Sequence, residues 1–198
     1  MPREVVLIDD GSNTAGLQAL EQAVPAFGSL TVKLLKHSVN QGLPAARNTG
    51  LNAVSTPYVC VHDNDDVIHP QFLSVAQKIL DENPAVGVVT AYLDFFSDTD
   101  WPLECAGQTV LRHIGADAGL GLQSNCFGAA FAVYRVEALK QIGGWNAATR
   151  AQWADWECFY RLYDQGWDVW VCPLLWAFIG FLQIRCCAPM IIFRAGYE

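Results

Sequence analysis

The chain has 198 residues, of which 52% are hydrophobic and 16% are charged, and its formal net charge is −8 at pH 7. This length suits one domain, and the apolar fraction argues for a sizeable core and against disorder. The negative charge argues against nucleic acid as a partner because phosphate binding needs a basic patch, although a metal ion can still hold a phosphate ligand.

Strand and helix patterns alternate along the first half of the chain. Helix patterns begin at Thr14, a plausible N-cap, at Pro44 with an end near Ala53, and at Pro70, which opens the most regular helix pattern. Short apolar runs typical of strands lie at residues 5–8, 30–35, 58–61 and 86–91. This alternation predicts an α/β fold, with a mainly parallel central sheet and helices on both faces.

Acidic clusters follow two of the predicted strands. Asp9–Asp10 follows the first strand and Asp63–Asp66, which contains three carboxylates, follows the third. In open α/β sheets ligands bind outside the carboxyl ends of the strands, so both clusters are expected on one rim. Their carboxylates would repel one another unless something positive lay between them, and magnesium is usually shared between carboxylates and substrate phosphates. The pattern predicts a metal-dependent site for a phosphorylated ligand.

These acidic residues also have interpretations other than a magnesium site. Asp-rich turns are common after strands, so Asp9–Asp10 alone fits a simple turn equally well. A calcium loop starting at Asp63 is excluded, because Val67–Ile68 stands where that loop needs Asp or Asn followed by Gly. A zinc site using His62 and His69 is weakly supported, because no further ligands follow at fixed spacing.

Four segments carry motifs in a shared order and at compatible spacing. They are VVLIDDGS, NQGLPAARNTGLNAVSTPYVCVHDNDD, FGAAFAVYRVEALKQIGGWN and WADWECFYRLYDQGWDVWVCP. In this order they resemble the family 2 glycosyltransferases, with their Asp-Asp-Gly-Ser turn, Asn-x-Gly, Ala-Arg-Asn-x-Gly and Asp-x-Asp series, Gly-Gly-aromatic segment and acidic acceptor-side helix. The resemblance implies the nucleotide-diphospho-sugar transferase fold called GT-A, with a Rossmann-like N-terminal half. It also implies one domain over residues 1–198, in which 1–100 bind the nucleotide-sugar and 101–198 form the acceptor side.

The resemblance implies a role for each motif residue. Asp10 would contact the base of the donor nucleotide, and Arg47 would approach the same nucleotide. Asp63 and Asp65 match the Asp-x-Asp pair, in which Asp63 would face the ribose and Asp65, with Asp63 beside it, would hold a Mg²⁺ or Mn²⁺ ion bridging the diphosphate. Asp155 would be the general base.

Helical phase adds independent support for Asp155. On a helix from about Trp153 to Gln165, Asp155 shares a face with Phe159 and Leu162, so it is expected at the open end of a core-facing stripe. A base there can take a proton from an acceptor hydroxyl.

Two charged residues of the motif segments also have ordinary structural interpretations. Glu157 lies on another face of the same helix, four residues before Arg161, which predicts a solvated ion pair. Arg47 fits a surface charge in the first turn of its helix, and only the motif context favours a place in the site.

The activity implied by the resemblance is transfer of a sugar from a nucleotide-diphosphate donor to a saccharide or lipid-linked acceptor, with inversion and metal dependence, as in polysaccharide biosynthesis. The alternative is a non-catalytic remnant that retains at most weak nucleotide binding. A nucleotidyltransferase of similar fold would need a Gly-rich, Lys- or Arg-bearing phosphate loop near the start, and none is present.

The sequence departs from the family pattern near Met1. Family members begin with another strand and helix before the Asp-Asp-Gly-Ser strand, and these are apparently lacking here. Because the first strand would be central to the sheet, its absence predicts unpaired backbone edges beside the neighbouring strands.

The cellular location of the protein is predicted from its cysteines and from one apolar run. Seven cysteines without a signal peptide are typical of reduced thiols in a cytoplasm. Val169–Ile184 is nearly continuously apolar but shorter than the ~20 residues that a spanning helix needs. Core packing is the preferred interpretation, and a peripheral contact with the inner face of the membrane is the alternative. Several tryptophans lie in the C-terminal half of the chain, and one or two of them could form the floor of an acceptor cleft.

Overall fold

The computed structural model describes residues 2–63, 66–69, 71–96, 110–129, 131–149, 151–180 and 190–195. Within these ranges the chain forms one nine-stranded sheet and six α-helices. The strands are β1 (Pro2–Asp9), β2 (Thr31–Lys36), β3 (Tyr58–His62), β4 (Asp66–Ile68), β5 (Val86–Phe96), β6 (Val110–Leu111), β7 (Ala132–Arg135), β8 (Asp168–Gly180) and β9 (Met190–Ala195). The helices are α1 (Thr14–Ala23), α2 (Leu43–Ala53), α3 (Phe72–Glu82), α4 (Ala118–Gly121), α5 (Val136–Gln141) and α6 (Ala154–Asp164), and short 3-10 helices cover Val24–Phe27 and Ala151–Trp153.

The predicted strands and helices are confirmed, and most of the described ends agree to within about two residues. Strand β1 begins three residues earlier than predicted, and β5 ends five residues later. One cap differs: Asn13, rather than Thr14, is the N-cap of α1, because its side chain accepts a hydrogen bond from the Gly16 amide at 2.9 Å. Pro70, predicted to open the third helix, lies outside the described residues, and α3 begins at Phe72.

The strand order in the sheet is β2-β1-β9-β3-β7-β5-β8-β4, and β6 pairs with β5. The predicted α/β architecture is confirmed. Strands β1, β2, β3, β5 and β8 share one direction, as expected for a sheet built from strand–helix units. Strands β4, β6, β7 and β9 run the opposite way, so the described sheet is mixed.

Strand β9 occupies the place where unpaired edges were expected. It runs antiparallel to β1 from Pro2↔Ala195 to Ile8↔Met190, and antiparallel to β3 from Tyr58↔Ala195 to His62↔Ile191. The expectation of open edges beside β1 and β3 is therefore wrong, because a strand from the C-terminal part of the chain pairs with both of them.

Helices cover both faces of the sheet, and β3 shows which helices share a face. Val59 and Val61 belong to a core cluster that includes residues of α2, α5 and α6, whereas Tyr58 and Cys60 belong to a cluster that includes residues of α3. Side chains of a strand alternate between its two faces. Helices α2 and α6, which carry two of the predicted site residues, therefore lie on the same side of the sheet.

The apolar run that begins at Val169 forms most of β8. Val169 and Cys172 are buried, which agrees with core packing for these residues, whereas Trp170 is 42% exposed. The part of the run after Gly180 lies outside the described residues. No helix in the described ranges combines the length and the apolar character needed to cross a bilayer.

Candidate active site

Two of the predicted acidic residues lie at the same edge of the sheet. Asp10 directly follows β1 and Asp63 directly follows β3, and these strands run in the same direction on either side of β9. Two interstrand spacings separate the ends of β1 and β3 by about 9–10 Å. The prediction that both acidic clusters lie on one rim is confirmed for these residues.

Asp10 is buried, and its hydrogen bonds connect the loop before α2 to the end of β1. Its Oδ1 accepts a hydrogen bond from the Gln41 amide at 2.9 Å, and its Oδ2 accepts one from the Gly42 amide at 2.8 Å. Its Oδ1 also lies 2.7 Å from Nδ1 of His37, whose Nε2 is 2.8 Å from the Thr49 hydroxyl. These contacts fix the position of α2 relative to the sheet edge.

Arg47 projects from the buried side of α2, not from its solvent side. The buried residues of this helix include Pro44, Arg47 and Leu51, which follow the i, i+3, i+7 spacing of a core-facing stripe. The Arg47 side chain is 0% exposed. The interpretation as a surface charge is therefore wrong, and a buried guanidinium at this position requires carboxylate partners.

Two carboxylates supply those partners. Asp155, at the start of α6, accepts a short hydrogen bond from Nη1 of Arg47 through its Oδ1. Both oxygens of Asp63 lie 3.4 Å from Nη2 of the same guanidinium. The two carboxyl side chains remain partly exposed, at 31% for Asp63 and 20% for Asp155. Arg47 therefore provides a positive charge, lying beneath the surface, between two of the predicted site residues.

The charges of this cluster shift one another's pKa values. Burial raises the pKa of Asp155 above its ordinary value, while Arg47 opposes that rise. Burial alone would lower the pKa of Arg47, but attraction to Asp155 and then to Asp63 raises it above the ordinary value. The guanidinium thus stays charged, and Asp155 is more basic than an exposed carboxylate.

Trp145 and Asn48 hold Arg47 in place, and this arrangement was not predicted from the sequence. The guanidinium carbon of Arg47 lies 5.8 Å from the centroid of the buried Trp145 ring. Asn48, the next residue of α2, donates to the Trp145 carbonyl at 2.6 Å and accepts from the Trp145 amide at 2.8 Å. The motifs containing Asn48 and Trp145 were both recognised in the sequence, but nothing in their spacing indicated that they contact each other.

The predicted phase of α6 is confirmed. Phe159 and Leu162 are fully buried, and Asp155 lies on their side of the helix with its carboxylate directed to Arg47. Glu157 instead pairs with Arg161 at 2.7 Å, as its i, i+4 spacing predicted. The expectation that this pair is solvated is wrong, because both side chains are only 28% exposed and Arg161 also donates to the carbonyls of Ile142 and Gly144.

The second residue of the predicted metal pair, Asp65, lies outside the described residues. Among the described residues, no group of three or more His, Cys, Asp or Glu side chains is arranged to share a metal ion. Magnesium commonly binds through one or two carboxylates together with the phosphates of a substrate, so it does not require such a group. Asp63, a partly exposed carboxylate at the sheet edge, suits that mode of binding.

Comparison with known proteins places the chain among sugar transferases. Residues 1–143 match the family model described as Glycosyl transferase family 2. Glycosyltransferase GlyA of Streptococcus pneumoniae is 34% identical over 93 residues, which are 46% of this chain and 13% of that protein. Cholesterol galactosyltransferase of Borreliella burgdorferi is 33% identical over 73 residues, 37% of this chain and 20% of that protein. These alignments span a minor part of both relatives.

Solved structures share the fold. The mannosyltransferase PcManGT from Pyrobaculum calidifontis, solved with GDP-Man and Mn²⁺, superposes with a TM-score of 0.67 at 18% identity, covering 93% of this chain and 50% of that chain. Residues 1–349 of TarS from S. aureus give a TM-score of 0.61 at 19% identity, covering 88% of this chain and 50% of that one. At these identities the likeness concerns the fold, which is of the GT-A class.

Proposed function

Because the chain belongs to glycosyl transferase family 2, we propose that it transfers a sugar from a nucleotide-diphosphate donor to a saccharide or lipid-linked acceptor, with inversion at the anomeric carbon. The observation that carries this proposal is the buried Arg47, which contacts both Asp63 and Asp155. A donor-side carboxylate and a carboxylate suited to act as a base are thereby brought to one place.

The donor is proposed to bind along the sheet edge. Asp10 would lie beside the base of the nucleotide and Asp63 beside its ribose, with Asp63 and Asp65 holding a Mg²⁺ or Mn²⁺ ion against the diphosphate. When bound, that ion would stabilise the negative charge of the departing diphosphate. The structure of PcManGT with GDP-Man and Mn²⁺ supports this class of donor and metal.

Asp155 is proposed as the general base. Its Oδ1 contacts Arg47, which leaves Oδ2 to accept the proton of the acceptor hydroxyl. The hydroxyl oxygen would then form a bond with the anomeric carbon, while the bond from that carbon to the diphosphate oxygen breaks. The nucleoside diphosphate leaves with the electron pair of the broken bond. Base catalysis of this kind typically contributes about 10²- to 10⁴-fold.

The acceptor is proposed to approach from the start of α6. Trp153 lies two residues before Asp155 and is 50% exposed. A partly exposed aromatic side chain offers an apolar face, which suits a sugar ring or an amphipathic acceptor. The name of the Borreliella relative, a cholesterol galactosyltransferase, supports a lipid acceptor as one alternative to a saccharide.

Thermal unfolding with nucleoside diphosphates tests donor binding before the sugar is known. We expect a nucleoside diphosphate to raise the melting temperature when Mg²⁺ or Mn²⁺ is present, and Asp65→Ala to remove most of this increase. An equal increase in the presence of a chelator would contradict the role of the metal.

A panel of nucleotide-sugars, assayed for hydrolysis and transfer, then tests catalysis. Turnover of one donor supports the proposal. Metal-dependent nucleotide binding without turnover of any donor would favour the non-catalytic remnant instead.

A further inference from the structure

The side chain of Arg47 connects parts of the chain that are far apart in sequence. Its partners are 16 residues away at Asp63 and 108 residues away at Asp155. Because the guanidinium is 0% exposed, whereas both carboxylates reach the surface, a bound substrate would meet the carboxylates first. Arg47 is therefore placed to act through its partners.

We propose that Arg47 is the positioning residue of the base: its guanidinium holds the Asp155 carboxylate in the orientation needed to receive a proton, with Asp63 as a second and looser anchor. This inference rests on the proposed function, since it concerns the same site. It adds a role to the approach to the nucleotide that the motif implies for this residue.

The chemistry of the side chain suits this role. A guanidinium is planar and presents its N–H groups in a fixed fork, so Nη1 can hold one carboxylate while Nη2 faces another. Arg47 uses Nη1 for Asp155 and Nη2 for Asp63. An ammonium group is a compact point charge on a flexible stem, so a lysine would not hold the two carboxylates in the same fixed relation.

The surroundings of Arg47 limit its movement. The Trp145 ring lies beside the guanidinium, and Asn48 holds the Trp145 backbone by two hydrogen bonds. The ring of Tyr134 packs edge-to-face on Trp145, with 5.4 Å between centroids. Because Trp145 restricts the guanidinium of Arg47, the hydrogen bond from Arg47 also restricts the orientation of the Asp155 carboxylate.

A purely structural ion pair is the competing explanation, because buried salt bridges are weak indicators of stability or function. A structural pair would change the fraction of folded protein but leave the turnover of the folded enzyme unchanged. A positioning residue would lower kcat in folded enzyme, and its effect would depend on the presence of Asp155.

A double-mutant cycle with Arg47→Met and Asp155→Asn separates these explanations. In the full chain, Arg47→Met is expected to lower kcat about 10- to 100-fold, because misplacing a reacting group by ~1 Å can cost that much. Donor Kd should change less than about fivefold, because the 3.4 Å contacts with Asp63 are longer than strong charge-assisted hydrogen bonds. In the Asp155→Asn background, Arg47→Met should lower kcat less than about threefold further, since residues that act as a unit are not additive.

Two lysine variants provide a matched comparison. Arg47→Lys keeps the charge but loses the fork, so kcat should still fall about tenfold or more. Arg112→Lys makes the same change at an exposed arginine, and its kcat should stay within about threefold of the wild-type value. Should Arg47→Met fail to fold by circular dichroism, Arg47→Lys takes its place in the cycle.

The outcomes differ for the inference and for the proposed function. Multiplicative losses of kcat in the cycle would overturn the positioning role, as would unchanged kcat in folded Arg47→Met enzyme. A large rise in donor Kd with kcat retained would instead assign Arg47 to direct nucleotide contact. If the wild-type chain transfers no sugar from any donor, the proposed function itself fails and the positioning role fails with it.

Discussion

Replacing Asn48 by alanine should destabilise the fold through the backbone of Trp145. The Asn48 side chain donates to the Trp145 carbonyl and accepts from the Trp145 amide. Because Trp145 is only 2% exposed, water cannot easily replace either hydrogen bond. A buried polar group left without a partner costs about 1–3 kcal/mol, so losing both partners should lower the free energy of unfolding by about 2–4 kcal/mol.

Urea and thermal unfolding measure this effect. For a domain of this size, a loss of 2–4 kcal/mol corresponds to a melting temperature lower by about 5–15 °C. Asn52→Ala is the matched control, because Asn52 lies one turn later on α2 and is exposed. That variant should be neutral or slightly stabilising, since alanine has the higher helix propensity. Equal effects at the two positions would refute the argument from the Trp145 backbone.

Further predictions concern two glycines and the buried thiols. Gly143 and Gly144 have nearly equal positive φ angles, 76° and 77°. A Cβ added at Gly143 would meet nothing within 4 Å, whereas a Cβ added at Gly144 would overlap Oδ1 of Asn48. Gly143→Ala should therefore cost about 1–2 kcal/mol of unfolding free energy, and Gly144→Ala clearly more; equal losses in urea unfolding would be contrary to this reasoning. Burial raises the pKa of the Cys60 and Cys158 thiols, so iodoacetamide should alkylate them in native protein far more slowly than in urea. Their unfolded forms ionise near pH 9, while the folded forms stay protonated, so stability should be complete below that pH and fall as pH rises above it.

The local elements could be predicted from sequence because their cause is local. The apolar spacing along α3 and α6 and the apolar run Tyr58–Val61 in β3 identify these elements regardless of the rest of the chain. The place of β9 could not be predicted in this way. Its pairing between β1 and β3 joins residues near the two ends of the chain, and no periodicity within a segment indicates such a partner.

The site was predicted residue by residue, but its arrangement was not. Asp63 and Asp155 were identified from motifs, and a positive group between carboxylates was expected to be a metal ion. That ion was expected between the clusters at Asp9–Asp10 and Asp63–Asp66, and it stays a prediction. The Arg47 guanidinium between Asp63 and Asp155 was not expected. One available clue was the spacing of Pro44, Arg47 and Leu51, which places the arginine on the buried stripe of α2.

Transfer kinetics of Asp155→Asn, measured beside donor affinity, test most directly whether Asp155 acts as the base in sugar transfer. Asparagine keeps the volume but is a far weaker base, so kcat should fall about 10²- to 10⁴-fold while donor Kd stays almost unchanged. Glu157→Gln, on the same helix, should keep its activity, because the Glu157 carboxylate pairs with Arg161 and not with Arg47. An active Asp155→Asn enzyme, together with an inactive Glu157→Gln enzyme, would contradict the assignment of the base.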